Sequence, residues 1–222
     1  MESTKIRVLE IFDSIQGEGV YTGYPTTFIR LAGCNLKCKY CDTKESWDKQ
    51  GGKEWDLEEL KEELMGYPLG HHFCITGGEP FLQRVAVIEL TQWLIKSYYK
   101  VNIETNGTFR VTEEGGLPDD AILTMDLKCP SSGMYQETMI SNICCLGSQD
   151  EVKFVVGTGE DLELVQEILR DHHISATKII SPVIGEGFDK DILDQIIFKL
   201  KHFKEFDDVK LGYQIHKLIG VK

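Results

Sequence analysis

Short runs of β-branched and apolar residues alternate with longer amphipathic segments along most of the chain. This alternation is typical of βα units that build a parallel sheet. We therefore expect an α/β fold and favour a partial parallel βα barrel over an open doubly wound sheet, although periodicity alone does not separate the two. The predicted strands span residues 7–12, 27–31, 73–76, 101–104, 122–125, 152–156, 178–181 and 209–214.

Four amphipathic segments predict helices between these strands. The first opens with Asp56 and Glu59, the spacing of a capping box, and the second has apolar residues at helical spacing. The last two open with an acidic residue, which the helix dipole favours at an N-terminus. The predicted helices span residues 56–65, 85–95, 161–172 and 189–203.

Length and charge limit the classes of protein that need to be considered. The 222 residues are enough for one domain with a sizeable core, so we expect a single domain over residues 1–222. A net charge of -12 argues against a nucleic-acid partner, because phosphate binding needs a basic surface. No apolar run has the length of a membrane span. Seven cysteines without a signal-peptide pattern predict a cytoplasmic protein in a reducing environment.

Three cysteines lie close together in the segment GCNLKCKYCDT. Cys34, Cys38 and Cys41 have the spacing C-x-x-x-C-x-x-C. Three thiolates on one loop can bind three irons of a [4Fe-4S] cluster and leave the fourth iron open to a ligand. Two alternatives remain at this point: a zinc knuckle with a distant fourth ligand, and buried thiols that act as small apolar side chains.

Three further motifs lie at the ends of predicted strands. These are TGGEP at 76–80, ETNG at 104–107 and DLK at 126–128. Because functional groups collect at the carboxyl ends of parallel strands, we expect these motifs and the cysteine loop to face one cavity. The paired glycines allow close approach to the backbone, and their amides can donate hydrogen bonds. Ordinary turns are the alternative for both the GG and the NG pairs.

The cysteine triplet followed by GGEP resembles the radical S-adenosylmethionine (SAM) enzymes. The resemblance implies a partial barrel of the radical SAM type, in which the open iron chelates the amino and carboxylate groups of SAM. It also implies contacts of the GGE segment with the amino group, of the region of Tyr40 with adenine and of ETNG with ribose. The implied SAM-contacting residues are Tyr40, Asp42, Gly78, Glu79, Glu104, Asn106, Asp126, Leu127, Lys128, Ser181, Pro182, Val183 and Ile184.

The N-terminal motif SIQGEG, at 14–19, narrows the resemblance. Together with the C-terminal QIHK it resembles the 7-carboxy-7-deazaguanine synthases of the queuosine pathway. This implies conversion of 6-carboxy-5,6,7,8-tetrahydropterin to 7-carboxy-7-deazaguanine, started by radical abstraction at C6 and followed by ring contraction with loss of ammonia. The implied substrate-binding residues are Ile15, Gln16, Gly17, Glu18, Arg30, Thr76, His216 and Lys222.

The residue types in this set suit a carboxylated pterin. Gln16 and Glu18 can read the N–H donors and the carbonyl of a pterin edge, while Arg30 can pair with the substrate carboxylate. The alternative is a simple ion pair between Glu18 and Arg30 in a turn. The resemblance also implies that the tail from His216 to Lys222 folds into the active site, although chain ends are commonly frayed.

Asp42 and Thr43, directly after Cys41, resemble a magnesium element of the same family. Magnesium is commonly held by one or two protein oxygens together with substrate and water, so we expect Thr43 to bind Mg²⁺ beside the substrate carboxylate. Asp42 is expected to support or contact SAM. A hydroxyl turn that ends the cysteine loop is the alternative.

Two other interpretations of the whole chain compete with this one. Many family members have Ser-Pro-Lys where this chain has Asp126-Leu127-Lys128, and DLK occurs in glycyl-radical-enzyme activating enzymes. A zinc-containing interaction module is the second competitor. The resemblance further implies a small-molecule substrate, a flavodoxin-like or other reductant and a homodimer.

Overall fold

One nine-stranded sheet organises the computed structural model, which describes residues 3–67, 71–112, 116–184 and 190–222. The strands are β1 (Lys5–Ile15), β2 (Pro25–Leu31), β3 (Lys53–Asp56), β4 (His72–Gly77), β5 (Lys100–Thr105), β6 (Ile122–Lys128), β7 (Glu151–Val156), β8 (Thr177–Pro182) and β9 (Val209–Leu211). The order across the sheet is β3-β1-β2-β4-β5-β6-β7-β8-β9. The α-helices are α1 (Leu57–Leu64), α2 (Arg84–Lys96), α3 (Gly159–Asp171), α4 (Lys190–His202) and α5 (Ile215–Ile219).

The sheet is parallel from β2 to β9 and antiparallel at its N-terminal edge. β1 pairs antiparallel with both β2 and β3, whereas every other pairing is parallel. The partial parallel barrel expected from the sequence therefore has an antiparallel edge at β1, which the sequence did not predict. The physical reason is that residues 16–24, which connect β1 and β2, are too few for the crossover that parallel strands need.

The four predicted helices are present, but they begin and end at residues that differ from the predicted ones. Asp56 precedes α1, but its carboxylate accepts hydrogen bonds from Ser3 and Lys5, so the predicted capping box does not form. A capping box occurs instead at α3, between Thr158 and Asp161. The predicted start of the last helix at Asp189 lies outside the described residues. No helix in the described ranges is long and apolar enough to span a bilayer.

The two faces of the parallel strands have opposite character. On β4 to β7 one face is apolar and packs into the core beneath the helices, with Phe73, Ile75, Val101, Ile103, Met125, Leu127, Val152 and Phe154 all buried. The alternate positions carry polar groups: His72, Cys74, Thr76, Asn102, Glu104, Thr124, Asp126, Lys128, Glu151 and Lys153. Since successive side chains of a strand point to opposite faces, the concave face of the partial barrel is lined by polar groups.

Two strands, one at each edge of the sheet, differ from the expectation. β3 was not predicted because it has only four residues and ends directly before α1. The last strand ends at Leu211 and not at residue 214, and the chain then continues through Gln214 into α5. Between β5 and β6, and between β6 and β7, the described residues form no α-helix, so the alternation of strand and helix is incomplete there.

Candidate active site

A single cavity lies at the carboxyl ends of the parallel strands. It is lined by residues of the β1–β2 connection, the cysteine loop, the ends of β4 to β8 and the C-terminal segment. Among the predicted site residues, the structure brings together Ile15, Gln16, Gly17, Glu18, Arg30, Cys34, Cys38, Tyr40, Cys41, Asp42, Thr43, Thr76, Gly78, Glu104, Asn106, Asp126, Lys128, Ser181, Pro182, Val183, Ile184, His216 and Lys222. Glu79 and Leu127 are not part of this lining.

The glycine pair after β4 packs against the start of the cysteine loop. Gly77 has φ +129, and a Cβ on Gly78 would lie 2.0 Å from the carbonyl oxygen of Gly33. The amides of Gly78 and Glu79 donate to the carbonyls of Leu31 and Gly33 at 3.1 and 2.8 Å. The glycine amides were expected to be able to serve a ligand, but the amide of Gly78 is bonded to the end of β2, and that of Glu79 to the start of the cysteine loop. Only glycine permits this approach of two backbones.

The three cysteines lie on the loop that this contact fixes. Cys38 is buried, while Cys34 and Cys41 are partly exposed. Burial raises the pKa of the thiols of Cys34 and Cys38, so these thiols keep their protons unless a bound cation stabilises the thiolate. Iron would supply that charge. No three His, Cys, Asp or Glu side chains of the described residues are placed to hold one single metal ion.

Two buried polar atoms that line the cavity have no hydrogen-bond partner. These are the hydroxyl of Tyr40 and Oδ1 of Asp126. Burial also raises the pKa of Tyr40, so its hydroxyl remains a donor. Unpaired polar atoms in a buried site are costly unless a ligand or water pairs with them. Together with the three thiols on one loop, they fit a polar cofactor such as SAM bound beside an iron–sulfur cluster.

Glu79 is buried beneath the strand ends and not in the cavity. Its carboxylate accepts from the amides of Asn106 and Phe81 at 2.7 and 3.0 Å and from the hydroxyl of Thr105 at 2.9 Å. Burial raises the pKa of Glu79, and these hydrogen bonds oppose that effect. The carboxylate thus ties the TGGEP turn to the end of β5. Leu127 is also outside the cavity, because its side chain points into the core.

Arg30 pairs with Glu10, not with Glu18. The two are register partners on β2 and β1, and Nε of Arg30 lies 2.7 Å from Glu10 Oε1. The predicted alternative of a Glu18–Arg30 ion pair is therefore wrong. Nη1 of Arg30 donates to Thr43 Oγ1 at 3.3 Å, and that hydroxyl donates to Asp42 at 3.2 Å. The predicted carboxylate-binding and magnesium-binding residues are thus in direct contact.

A second polar group joins the strand ends of β4 and β5 to the SIQGEG segment. Glu104 accepts from Thr76 Oγ1 at 2.7 Å and from Gln16 Nε2 at 3.4 Å. Oε1 of Gln16 also accepts from the amide of Glu18 at 3.2 Å. The carboxylate of Glu104 thus lies beside the predicted substrate residues Gln16 and Thr76, and its contact with ribose stays a prediction.

Glu18 and Asp126 belong to one buried charge network. Lys153 Nζ lies 2.5 Å from Glu18 Oε2 and 3.6 Å from Asp126 Oδ2, and Lys128 Nζ lies 2.9 Å from the same Asp126 oxygen. Burial opposes ionisation of Asp126, but Lys128 and Lys153 outweigh burial and lower its pKa. Lys128 was expected to face the SAM carboxylate, and the structure pairs it with Asp126.

The C-terminal segment closes one side of the cavity. Gln214 Nε2 donates to Glu18 at 2.6 Å, and the amide of Ile215 donates to the carbonyl of Gly17 at 3.0 Å. Lys217 pairs with Asp42 at 3.0 Å. The hydroxyl of Ser14 donates to the backbone oxygen of Lys222 at 2.6 Å. Residues 214–222 therefore touch both the SIQGEG segment and the cysteine loop.

Lys153 and Gln214 are the main site residues that sequence reasoning missed. A signal for Lys153 exists, because a lysine inside the apolar run EVKFVV is unusual for a parallel strand buried on both faces. Gln214 is the first residue of the QIHK motif, but it was assigned to a strand, and its contact with Glu18 spans 196 positions of sequence.

Comparisons with known proteins agree with this geometry. The radical SAM superfamily matches residues 28–122. The 7-carboxy-7-deazaguanine synthase of Methanospirillum hungatei is 42% identical to this chain. The alignment covers 99% of this chain and 88% of that protein. That of Koribacter versatilis is 34% identical, with 96% of both chains covered.

One solved structure has the same fold over nearly the whole chain. QueE from Escherichia coli superposes with a TM-score of 0.74 at 26% identity, over 94% of this chain and 93% of that chain. The alignments therefore extend well beyond the cysteine motif, into the strands and the C-terminal part of the chain. With near full-length relatives at up to 42% identity, the chain belongs to the 7-carboxy-7-deazaguanine synthase family of radical SAM enzymes.

Proposed function

We propose that this chain converts 6-carboxy-5,6,7,8-tetrahydropterin to 7-carboxy-7-deazaguanine with loss of ammonia. One observation carries the proposal: the three-cysteine loop opens into the same cavity as Arg30, Thr43, Glu18 and Gln16. The cysteines suit a cluster, and the other four suit a carboxylated pterin. A glycyl-radical activating enzyme would act on a protein backbone and needs an open groove, whereas residues 214–222 cover this cavity.

Membership of the radical SAM superfamily implies a [4Fe-4S] cluster and SAM. We propose Cys34, Cys38 and Cys41 as the cluster ligands. When bound, the pair supplies a carbon radical that abstracts hydrogen from the substrate. The chain's own task is to place the substrate next to that radical and to exclude water.

The residues at the β1–β2 edge suit the substrate carboxylate. Arg30 presents its guanidinium to the cavity and contacts Thr43, whose hydroxyl oxygen is a ligand type that magnesium accepts. We propose that Thr43 binds Mg²⁺ between the protein and this carboxylate. The guanidinium lies over the ring of Phe12 at 5.4 Å, and that ring stacks on Phe28 with centroids 5.0 Å apart, which limits the directions that Arg30 can take.

The opposite end of the pterin would face Gln16, Glu18 and Glu104. A pterin edge presents several N–H donors, and these two carboxylates can accept them. Glu18 is ionised for this task, because Lys153 outweighs the effect of burial and lowers the pKa of Glu18. Asp126 Oδ1 and the Tyr40 hydroxyl, which have no partner, are proposed to serve SAM.

The setting of the reaction follows from composition and surface. All seven cysteines are free, which suits a reducing cytoplasm and a flavodoxin-like or other cellular reductant. The net charge of -12 disfavours nucleic acid as a partner.

We also propose a homodimer, since Tyr213, Leu218 and Ile219 expose large apolar groups. Size-exclusion chromatography with light scattering measures the molar mass of the protein in solution and so distinguishes a dimer from a monomer.

An anaerobic assay tests the function. The reconstituted protein is incubated with carboxytetrahydropterin, SAM, a reductant and Mg²⁺, and the deazaguanine product is identified by mass spectrometry. We expect product that requires all components, with Mg²⁺ increasing the rate. Reductive cleavage of SAM without any deazaguanine would reject the substrate and revive the glycyl-radical alternative.

A further inference from the structure

Lys153 is a charged residue in the middle of a core strand, and its ammonium group lies between two carboxylates. Lys153 and Asp126 are register partners on β7 and β6, and the lysine extends along the concave face to Glu18. Only 10% of the lysine side chain and 19% of the Glu18 side chain are exposed. A charge so well buried is stabilised only by close partners, so this ion pair holds both side chains in place.

The two carboxylates depend on Lys153 to different degrees. Asp126 has a second cation, Lys128, at 2.9 Å. Glu18 has Lys153 as its ion-pair partner within the described residues, and its other oxygen accepts from the uncharged amide of Gln214. Loss of the lysine charge would therefore disturb Glu18 far more than Asp126.

The segment that carries Glu18 is held by the same strand at a second point. Glu151, two residues before Lys153 on β7, accepts from the amide of Val20 at 3.0 Å. Gly19 has φ +73, and a Cβ there would lie only 2.3 Å from Oε2 of Glu151. Glu151 and Lys153, two alternate positions of β7, therefore hold the backbone at Val20 and the side chain of Glu18.

We propose that Lys153 is a positioning residue for the pterin: it holds the Glu18 carboxylate towards the cavity, where Glu18 accepts the substrate N–H groups. The inference rests on the proposed function and adds a residue to it. Lys153 does not react with the substrate. It fixes where Glu18 lies and keeps it charged, which reduces the ordering cost of binding.

This role predicts a dependence on pH that a purely structural role would not give. The charged groups that act on Glu18 are Lys153 on β7 and Asp126 on β6, while the side chain of His216 lies beside Gly17. Without Lys153, burial and Asp126 remain, and both raise the pKa of Glu18. Protonated Glu18 cannot accept as a carboxylate, so the substrate would bind more weakly as the pH falls.

The test compares three reconstituted variants with the wild type. Lys153→Met removes the charge at similar volume, and Lys153→Arg keeps the charge at a shifted position. Lys178→Met is the matched control, because Lys178 lies on the adjacent β8, is 12% exposed and pairs with Asp208 outside the cavity. The measured quantities are KM and kcat for carboxypterin, the Kd for SAM and the iron content.

For Lys153→Met we expect KM to rise by about tenfold or more, as for the loss of a charge-assisted contact. The Kd for SAM should change by less than about threefold, because Asp126 keeps Lys128. The ratio of variant to wild-type KM should increase as the pH is lowered from about 8 to about 6. Lys153→Arg should recover part of the loss, and Lys178→Met should match the wild type.

The proposal is overturned if KM of Lys153→Met stays within about twofold of Lys178→Met, or if KM and the Kd for SAM rise by the same factor at every pH. If Lys153→Met takes up no iron, Lys153→Arg decides: a raised KM with unchanged SAM binding supports the role, and an unchanged KM rejects it. Failure of wild type and Lys178→Met to form product rejects the proposed function, and this inference with it.

Discussion

The guanidinium of Arg30 contacts the hydroxyl of Thr43 at 3.3 Å, across the boundary between β2 and the end of the cysteine loop. Arg30 is held on its other side by Glu10, its register partner on β1. The loop that carries the three cysteines is therefore joined by side chains to the residues proposed to bind the substrate carboxylate. Substitutions at these two positions should affect substrate and magnesium and leave the cluster in place.

Arg30→Ala should lower kcat/KM for carboxypterin. Loss of a hydrogen-bonded charged contact costs about 1.5–3 kcal/mol, which corresponds to roughly ten- to one-hundred-and-fifty-fold. Arg7→Ala is the control, because Arg7 pairs with Glu54 at the outer sheet edge. Steady-state kinetics of the two variants measures the difference, and an Arg30→Ala enzyme as active as Arg7→Ala would exclude the carboxylate contact.

Thr43→Val should weaken the response to magnesium, because the variant keeps the β-branched shape and loses the hydroxyl. The magnesium concentration for half-maximal rate should increase by roughly tenfold or more, whereas Thr43→Ser should stay near wild type. Thr112→Val, at an exposed position away from the cavity, controls for the substitution itself. The measurement is the rate as a function of magnesium. Identical curves for Thr43→Val and Thr43→Ser would contradict a role of the hydroxyl in metal binding.

Alanine at Cys34, Cys38 or Cys41 should each prevent assembly of the cluster, because a [4Fe-4S] cluster held by three cysteines has no spare ligand. Cys144→Ala is the matched control, since Cys144 is exposed and lies in another part of the chain. Iron content and visible absorbance after anaerobic reconstitution report the result. Any of the three variants with wild-type iron and SAM cleavage would remove that cysteine from the ligand set.

Asp126→Asn should destabilise the protein near neutral pH and much less in acid. Burial raises the pKa of Asp126, but Lys128 and Lys153 lower it further, so the folded pKa lies below the ordinary value of 3.8. The carboxylate therefore contributes stability above pH 3.8 that is lost as the pH falls through the folded pKa. Breaking this buried pair should cost about 3–5 kcal/mol at neutral pH.

Urea unfolding at several pH values measures this effect. Asp171→Asn, in an exposed pair with Arg170, should not show it. A difference between wild type and Asp126→Asn that stays constant from neutral to acid pH would show that the charge of Asp126 is not its cause.

Gly17→Ala should displace the C-terminal segment. The added Cβ would lie 2.0 Å from Nδ1 and 2.9 Å from Cβ of His216, so the whole side chain must move. We expect a higher KM for carboxypterin and faster proteolysis after residue 211, with little change in unfolding. Gly159→Ala, where the nearest atom lies at 3.4 Å, should behave as wild type. Wild-type KM in Gly17→Ala would show that this contact is not needed for binding.

Much of the barrel could be predicted because each parallel strand carries its own signal. Strands such as β4 and β7 have apolar residues at alternate positions, and the motifs follow at their ends. The antiparallel pairing of β1 with β2 had no such signal, since alternation is the same in both orientations and only the short connection distinguishes them.

Side-chain partners were harder to predict than positions. Sequence reasoning placed Glu18 and Arg30 in one substrate site, and its alternative paired them with each other. Each has a different partner, Lys153 for Glu18 and Glu10 for Arg30. Both pairings depend on strand register and on which face a residue occupies. Contacts that connect distant parts of the chain, such as Gln214 with Glu18, follow only from the complete fold.

The contacts of residues 214–222 with residues 14–18 have a consequence for how the protein can lose its activity. These contacts join positions 208 and 196 apart in sequence, and residues 214–222 contribute no strand to the nine-stranded sheet. A chain nicked or frayed in this segment would retain its circular dichroism spectrum and its iron, and would lose only its capacity to hold the pterin. Circular dichroism and iron content are thus poor measures of whether a preparation of this enzyme can bind substrate. The mass of the intact chain should be measured alongside every activity assay.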